Sequence, residues 1–137
     1  MNFDLSPIEL RVLCSLIEKE STTPDQYPLS TNALRTACNQ KTSREPVTDY
    51  SEADVDAAVL SLRERSIVRS VRPQGSRGWK HRHVLEEELP VTPGERAVIA
   101  VLGLRGPQTS GELRQRTERI NPFDEVEEVE LLSLIHI

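Results

Sequence analysis

Apolar side chains recur three or four positions apart early in the chain, at Val12, Leu13, Leu16 and Ile17, the spacing of one buried helical face. The start signal lies just upstream. Ser6 caps free backbone N–H groups, Pro7 takes the first helical position and Glu9 closes a capping box, so a helix over about Pro7–Glu20 is predicted. Two prolines in Thr22–Pro28 exclude regular helix there. A second helix opens at Leu29-Ser30, with Ser30 as cap, Leu29 stapled onto Leu34, and Leu34, Ala37 and Cys38 turned inward. It ends before the polar run Asn39–Glu45, and Pro46 keeps Glu45 out of helical conformation. A third helix starts at Ser51, Asp54 completes its capping box, and Val55, Val59 and Leu62 form its inward stripe. The pattern then changes. Ile67–Val71 favours a strand, residues 73–78 a turn containing Pro73, Gly75 and Gly78, and Trp79–Leu85 a returning strand.

Three helices followed by a hairpin with a glycine-rich tip is the winged-helix order, mainly α with a small β-hairpin. Helices two and three would form the helix-turn-helix, and residues 73–78 the wing tip. The opening recurs at an offset of 86: Ser6/Thr92, Pro7/Pro93 and Glu9/Glu95 match, and Val12/Val98, Leu13/Ile99 and Leu16/Leu102 follow in register. The second copy then offers a helix over Pro93–Leu104, a helix capped by Thr109 with Glu112 and Leu113, and an acidic segment from Phe123. A tandem winged helix follows: residues 1–86 as the first unit, 87–92 as linker, and 93–131 as a second unit cut off before its hairpin. Glu86–Pro90 reads as too polar and proline-broken for core. At the end of the chain, aligning residues 128–130 on 54–56 places Ser133 and His136 where the repeat demands apolar side chains. The last six residues also read as the translation of a common sequencing-library adapter, so residues 132–137 are expected to be read-through; the alternative is an apolar tail docked on helix 93–104.

Composition narrows the class. The chain has 137 residues, 36% hydrophobic and only 4% aromatic, a supply better suited to short amphipathic helices than to a sandwich or barrel. No apolar run approaches the ~18 residues of a membrane helix, so no membrane partner is expected. Residues 1–4 lack a basic start and an apolar stretch, so a cytoplasmic protein is expected. Cys14 and Cys38 show no ligand spacing and read as buried thiols; His81 and His83 share a strand face without a third ligand, so no metal and no cofactor is expected. No nucleophile–base order or phosphate loop appears, and an enzyme is not expected. Net charge is −5, all of it after residue 86. Between Arg63 and His83, however, seven basic residues stand against one acid, Glu64. An anionic partner would meet that local potential rather than the net charge.

The run Glu18-Lys-Glu-Ser-Thr-Thr-Pro-Asp-Gln-Tyr-Pro-Leu-Ser30, with Thr36-Ala-Cys-Asn-Gln-Lys-Thr-Ser-Arg-Glu-Pro-Val47, resembles the YceH-like family of uncharacterised bacterial proteins, from about Leu5 to about Glu130. The resemblance implies a tandem winged helix in the bacterial cytosol and no settled biochemical role.

Two segments carry the candidate chemistry. The long connection Asn39–Val47 supplies Asn39, Gln40, Lys41, Thr42, Ser43 and Arg44, donors suited to phosphate oxygens or to a partner's carboxylates. Alternatively Asn39 caps the second helix and Arg44 pairs with Glu45 to hold the loop. The wing supplies Arg69, Arg72, Arg77, Lys80 and Arg82, for a hairpin reaching a DNA minor groove, or else for a solvated edge that discourages strand pairing. Trp79 reads as a packing anchor for the hairpin. Against base reading stand Glu52, Asp54 and Asp56 at the start of the third helix, the end a recognition helix presents to bases. The leading expectation is a DNA-binding protein, a regulator contacting double-stranded DNA through Lys41, Arg44 and the wing. The alternative is a protein-interaction scaffold with a protein partner or self-association.

Overall fold

A computed structural model describes residues 5–75, 78–89, 91–106, 109–118 and 120. Every predicted helix start is present with its cap. Helix α1 (Pro7–Thr22) has the capping box of Ser6 and Glu9. Helices α2 (Thr31–Cys38) and α3 (Glu52–Glu64) start from Ser30 and from the Ser51/Asp54 box. Strands β2 (Val68–Val71) and β3 (Lys80–His83) form the hairpin. After a short helix α4 (Leu85–Glu88), Thr92/Glu95 and Thr109/Glu112 boxes open α5 (Pro93–Arg105) and α6 (Ser110–Thr117). Among the described residues the protein is thus mainly helical, with six helices and one small antiparallel sheet.

That sheet has a third member. Leu29–Ser30 pairs with β3 as strand β1, Leu29 opposite His81 and Ser30 opposite Lys80, giving the order β1-β3-β2. Two residues carry no alternation to read, so the sequence shows only the helix cap that Ser30 also provides. Helix α1 is the centre of the molecule. Residues 11–18 are buried without a break, because α2 and α3 cover one side and α5 the other. Val12, Leu16, Leu34, Val55, Leu62 and Ile67 lie in one core with Ala100 of α5, while Val98, Val101 and Leu113 make a smaller cluster between α5 and α6. The α1–α5 approach is close enough that a Cβ on Gly103 would lie 2.3 Å from Cys14 Sγ.

Three expectations need correction. The segment read as too polar for core takes part in it: α4 runs through residues 85–88, Leu85 is buried, and Leu89 packs against the core, as does Val91 just beyond. Trp79 does not anchor the hairpin; it stands 56% exposed. Arg44 does not pair with Glu45 but is buried against α1. Arg77, the segment from Phe123 and residues 132–137 lie outside the described residues.

Candidate functional site

The 39–47 connection is tied inward at most of its donors. Asn39 ends α2 and clasps the far end of the loop, its Nδ2 donating to the Tyr50 carbonyl and its Oδ1 accepting from Tyr50 N, both at 2.9 Å. Arg44 donates to both carboxylate oxygens of Glu18, at 2.7 and 3.1 Å, and through Nε to the Ala37 carbonyl at 3.1 Å. Arg11 of α1 binds the same loop from below, donating to the Pro46 carbonyl at 2.7 Å and the Cys38 carbonyl at 3.0 Å. Burial and the neighbouring Arg44 charge push the Arg11 pKa down from its ordinary value. Gln40 accepts from Lys19 and donates to Thr42, and Ser43, at a left-handed φ of 59°, accepts from Arg105 at 2.9 Å. Lys41 and Thr42 remain exposed. The loop's length therefore serves a rigid plug over α1, and Arg44, with no exposed side-chain surface, is not presented to a phosphate.

Folding also interleaves acids with the basic stripe. Arg69 pairs with Glu87, Arg65 with Glu9, and Glu20 lies near enough to Arg82 to feel its charge. Arg72 and Arg82 are exposed and Lys80 is half-buried. Register sets Arg69 directly opposite Arg82, and Val71 opposite Lys80, on the face of the hairpin away from His81 and His83. Like charges in direct opposition weaken a strand pair.

On the other side of the hairpin lies an open groove of about 570 Å³. Its walls are α3, the start of α2 and the hairpin. Glu52, Asp56, Leu60 and Arg63 reach it from successive turns of α3, Thr31 and Asn32 from α2, and Ser70, Trp79 and His81 from the hairpin. Leu60 is 53% exposed, close to the value for Trp79. Beneath them runs a directional chain. The Thr31 hydroxyl donates to Asp56 Oδ1 at 3.0 Å and lies 2.9 Å from His81 Nε2, while Ser70 Oγ lies 2.7 Å from His81 Nδ1. With its proton given to Asp56, Thr31 accepts from Nε2–H, and Nδ1 accepts from Ser70. Burial pushes the His81 pKa down, outweighing the opposing pull of Asp56, and the Arg63 charge pushes the same way.

Among the described residues no group of three or more His, Cys, Asp and Glu side chains is placed to hold a metal ion. Both cysteines are buried, which pushes Cys14 to about 12 and Cys38 to about 11. No described helix is long and apolar enough to cross a membrane.

The family described as "Protein of unknown function, DUF480" matches residues 5–135. The chain belongs to that family. A UPF0502 protein of Azoarcus sp. (strain BH72) is 51% identical over 94% of this chain and 57% of its own length. UPF0502 proteins of Geotalea daltonii and Solibacter usitatus are each 50% identical over 95% of this chain and 59% and 63% of their own lengths. The chain therefore spans about three-fifths of the length of these curated relatives, and the YceH-like label given by residues 18–47 fits the same family.

Within this DUF480 chain the groove is what sequence reasoning missed. A signal was present: Glu52, Asp56, Leu60 and Arg63 fall on one helical face, flanking the inward stripe of Val55, Val59 and Leu62. It reads as an ordinary solvated face until the hairpin is seen to form the facing wall.

Proposed function

We propose that this DUF480 chain is a non-catalytic winged-helix protein of the bacterial cytoplasm that docks a protein partner in the groove between α3 and the hairpin. The order α1-β1-α2-α3-β2-β3, with sheet order β1-β3-β2, supports the winged-helix reading. The observation that carries the docking reading is the face α3 offers. Where a DNA-binding relative of this architecture would present base-reading donors, this helix presents Glu52, Asp56 and Leu60 beside an exposed tryptophan. Phosphates meet carboxylates there at a cost. A protein surface meets an apolar centre with a charged rim.

A photo-crosslinking amino acid at position 60, in cells, is expected to capture one reproducible protein. The same group at exposed Gln26, outside the groove, should not capture it. Capture at both positions, or at neither, overturns the reading.

Nucleic-acid binding retains one specific support, the exposed Arg72 and Arg82 of the hairpin, with Arg69 opposite Arg82 although shared with Glu87. If that reading holds, duplex affinity falls steeply with salt, at a slope of about 0.9 per phosphate contact, and replacing Arg77, Lys80 and Arg82 by alanine flattens it. Unchanged affinity and slope in that variant remove the wing as the contact.

A further inference from the structure

We infer that the groove selects a partner segment in which a lysine or arginine adjoins an apolar side chain. The inference rests on the docking reading above and adds the chemistry of the occupant. The groove has a polarity fixed by α3: two carboxylates at its N-terminal end, Leu60 in the middle and Arg63 at the far end. Glu52 and Asp56 stand four residues apart on one face, a like-charge spacing that an intervening cation relieves. Asp56 commits Oδ1 to Thr31, and its second oxygen takes no part in that chain. Trp79 contributes an aromatic face to the same groove, and a cation over an indole gains further attraction. His81, buried at the floor between Thr31 and Ser70, lies 4% exposed and so presents little of its ring to the occupant. Arg63 sets the direction, since a second cation at that end would be repelled. An anionic backbone such as DNA fits the reverse of this pattern. A basic-then-apolar peptide fits it in order.

Trp79 is the single tryptophan of the chain, so its emission reports occupancy directly. The probes are acetylated, amidated eight-residue peptides in which two lysines precede a leucine-and-serine half, the same peptides with glutamate in place of lysine, and a short DNA duplex. The lysine–leucine peptide is expected to shift Trp79 emission and saturate, and the glutamate–leucine peptide to bind at least about tenfold more weakly, a difference of ~1.4 kcal/mol. In the pair Glu52→Gln and Asp56→Asn that preference collapses, while Asn at 56 still accepts from Thr31. Neutralising two exposed acids elsewhere, Glu45→Gln with Asp49→Asn, controls for net charge and is expected to preserve it. If the two peptides bind alike yet Leu60→Ser weakens both, the groove docks proteins and only the charge assignment fails. If the preference falls equally in the Glu45/Asp49 variant, net charge made it and the inference fails. If the duplex moves Trp79 and neither peptide does, both the inference and the docking reading fall. If no probe moves it, the inference is overturned.

Discussion

Replacing Arg44 with methionine is expected to cost about 3 kcal/mol of folding free energy, read as a lowered urea midpoint at unchanged slope. The reason is Glu18. Its side chain is 4% exposed, and both of its oxygens accept from Arg44, whose own side chain has no exposed surface. Truncating the guanidinium takes from this buried carboxylate its two shortest donors, while the Lys19 contact is longer, at 3.4 Å. It also removes the donor to the Ala37 carbonyl, so the loop loses its tie to α2 as well as to α1. Removing both charges together, Arg44→Met with Glu18→Leu, should recover much of the loss, because no carboxylate is then buried without the guanidinium, although the Ala37 carbonyl still lacks its donor. A double variant as unstable as the single one would mean that Arg44 acts through packing of the loop and not through the pair. The same pair sets an acid limit. Burial alone would raise the Glu18 pKa, but the hydrogen bond and charge of Arg44 win and hold it below its ordinary value of 4.5. A carboxyl depressed in the folded state contributes stability above its unfolded pKa and loses it as pH falls through the folded one. The wild-type chain should therefore weaken below about pH 4.5, and the double variant should show a shallower decline over that window.

Gly103→Ala is expected to destabilise by about 2 kcal/mol, although alanine is the better helix former by ~1 kcal/mol. The added methyl would sit 2.3 Å from Cys14 Sγ, closer than any real carbon–sulfur contact, at the crossing of two helices that are both fixed elsewhere. Helix α5 cannot simply retreat: Glu45 N donates to the Leu104 carbonyl at 2.8 Å, and Ala100 is part of the main core. The partner variant decides the cause. Cys14→Ala removes the sulfur and leaves a Cβ 3.4 Å from the new methyl, an ordinary contact. In that background Gly103→Ala should be nearly neutral, a coupling of more than ~1 kcal/mol in a double-mutant cycle of thermal or urea melts. Simple additivity would show that the crossing has slack.

The helices were legible because their starts are chemical. A hydroxyl residue three places before Glu or Asp marks a start where an apolar helical run follows and none precedes, and Ser6, Ser51, Thr92 and Thr109 all cap in this way. The hairpin was legible from the switch to Ile67–Val71 and its glycine-bearing turn. Long-range pairings were not. Nothing local says that Arg11 and Glu18, seven apart on α1 with Cys14 between them, face a loop rather than water. Read alone, Arg44 looks like a phosphate ligand. The seven-to-one basic count is incomplete for the same reason: Glu9, Glu20 and Glu87, distant in sequence, lie beside some of those residues in space. Trp79 shows the converse error, since a large aromatic at the start of a strand reads as core until its neighbours are known. The candidate site was thus half visible, its residues on α3 in plain periodic order and its opposite wall unforeseen.

Helix α1, covered on two sides, has a consequence for how the molecule breathes. Fraying or loosening of either flank alone still leaves residues 11–18 sheltered by the other. Their backbone amides give up their protons to deuterated solvent only when both coverings open together, which ties their exchange to global unfolding. The two copies of the repeat then share one kinetic fate along that helix, even where the rest of each copy opens on its own.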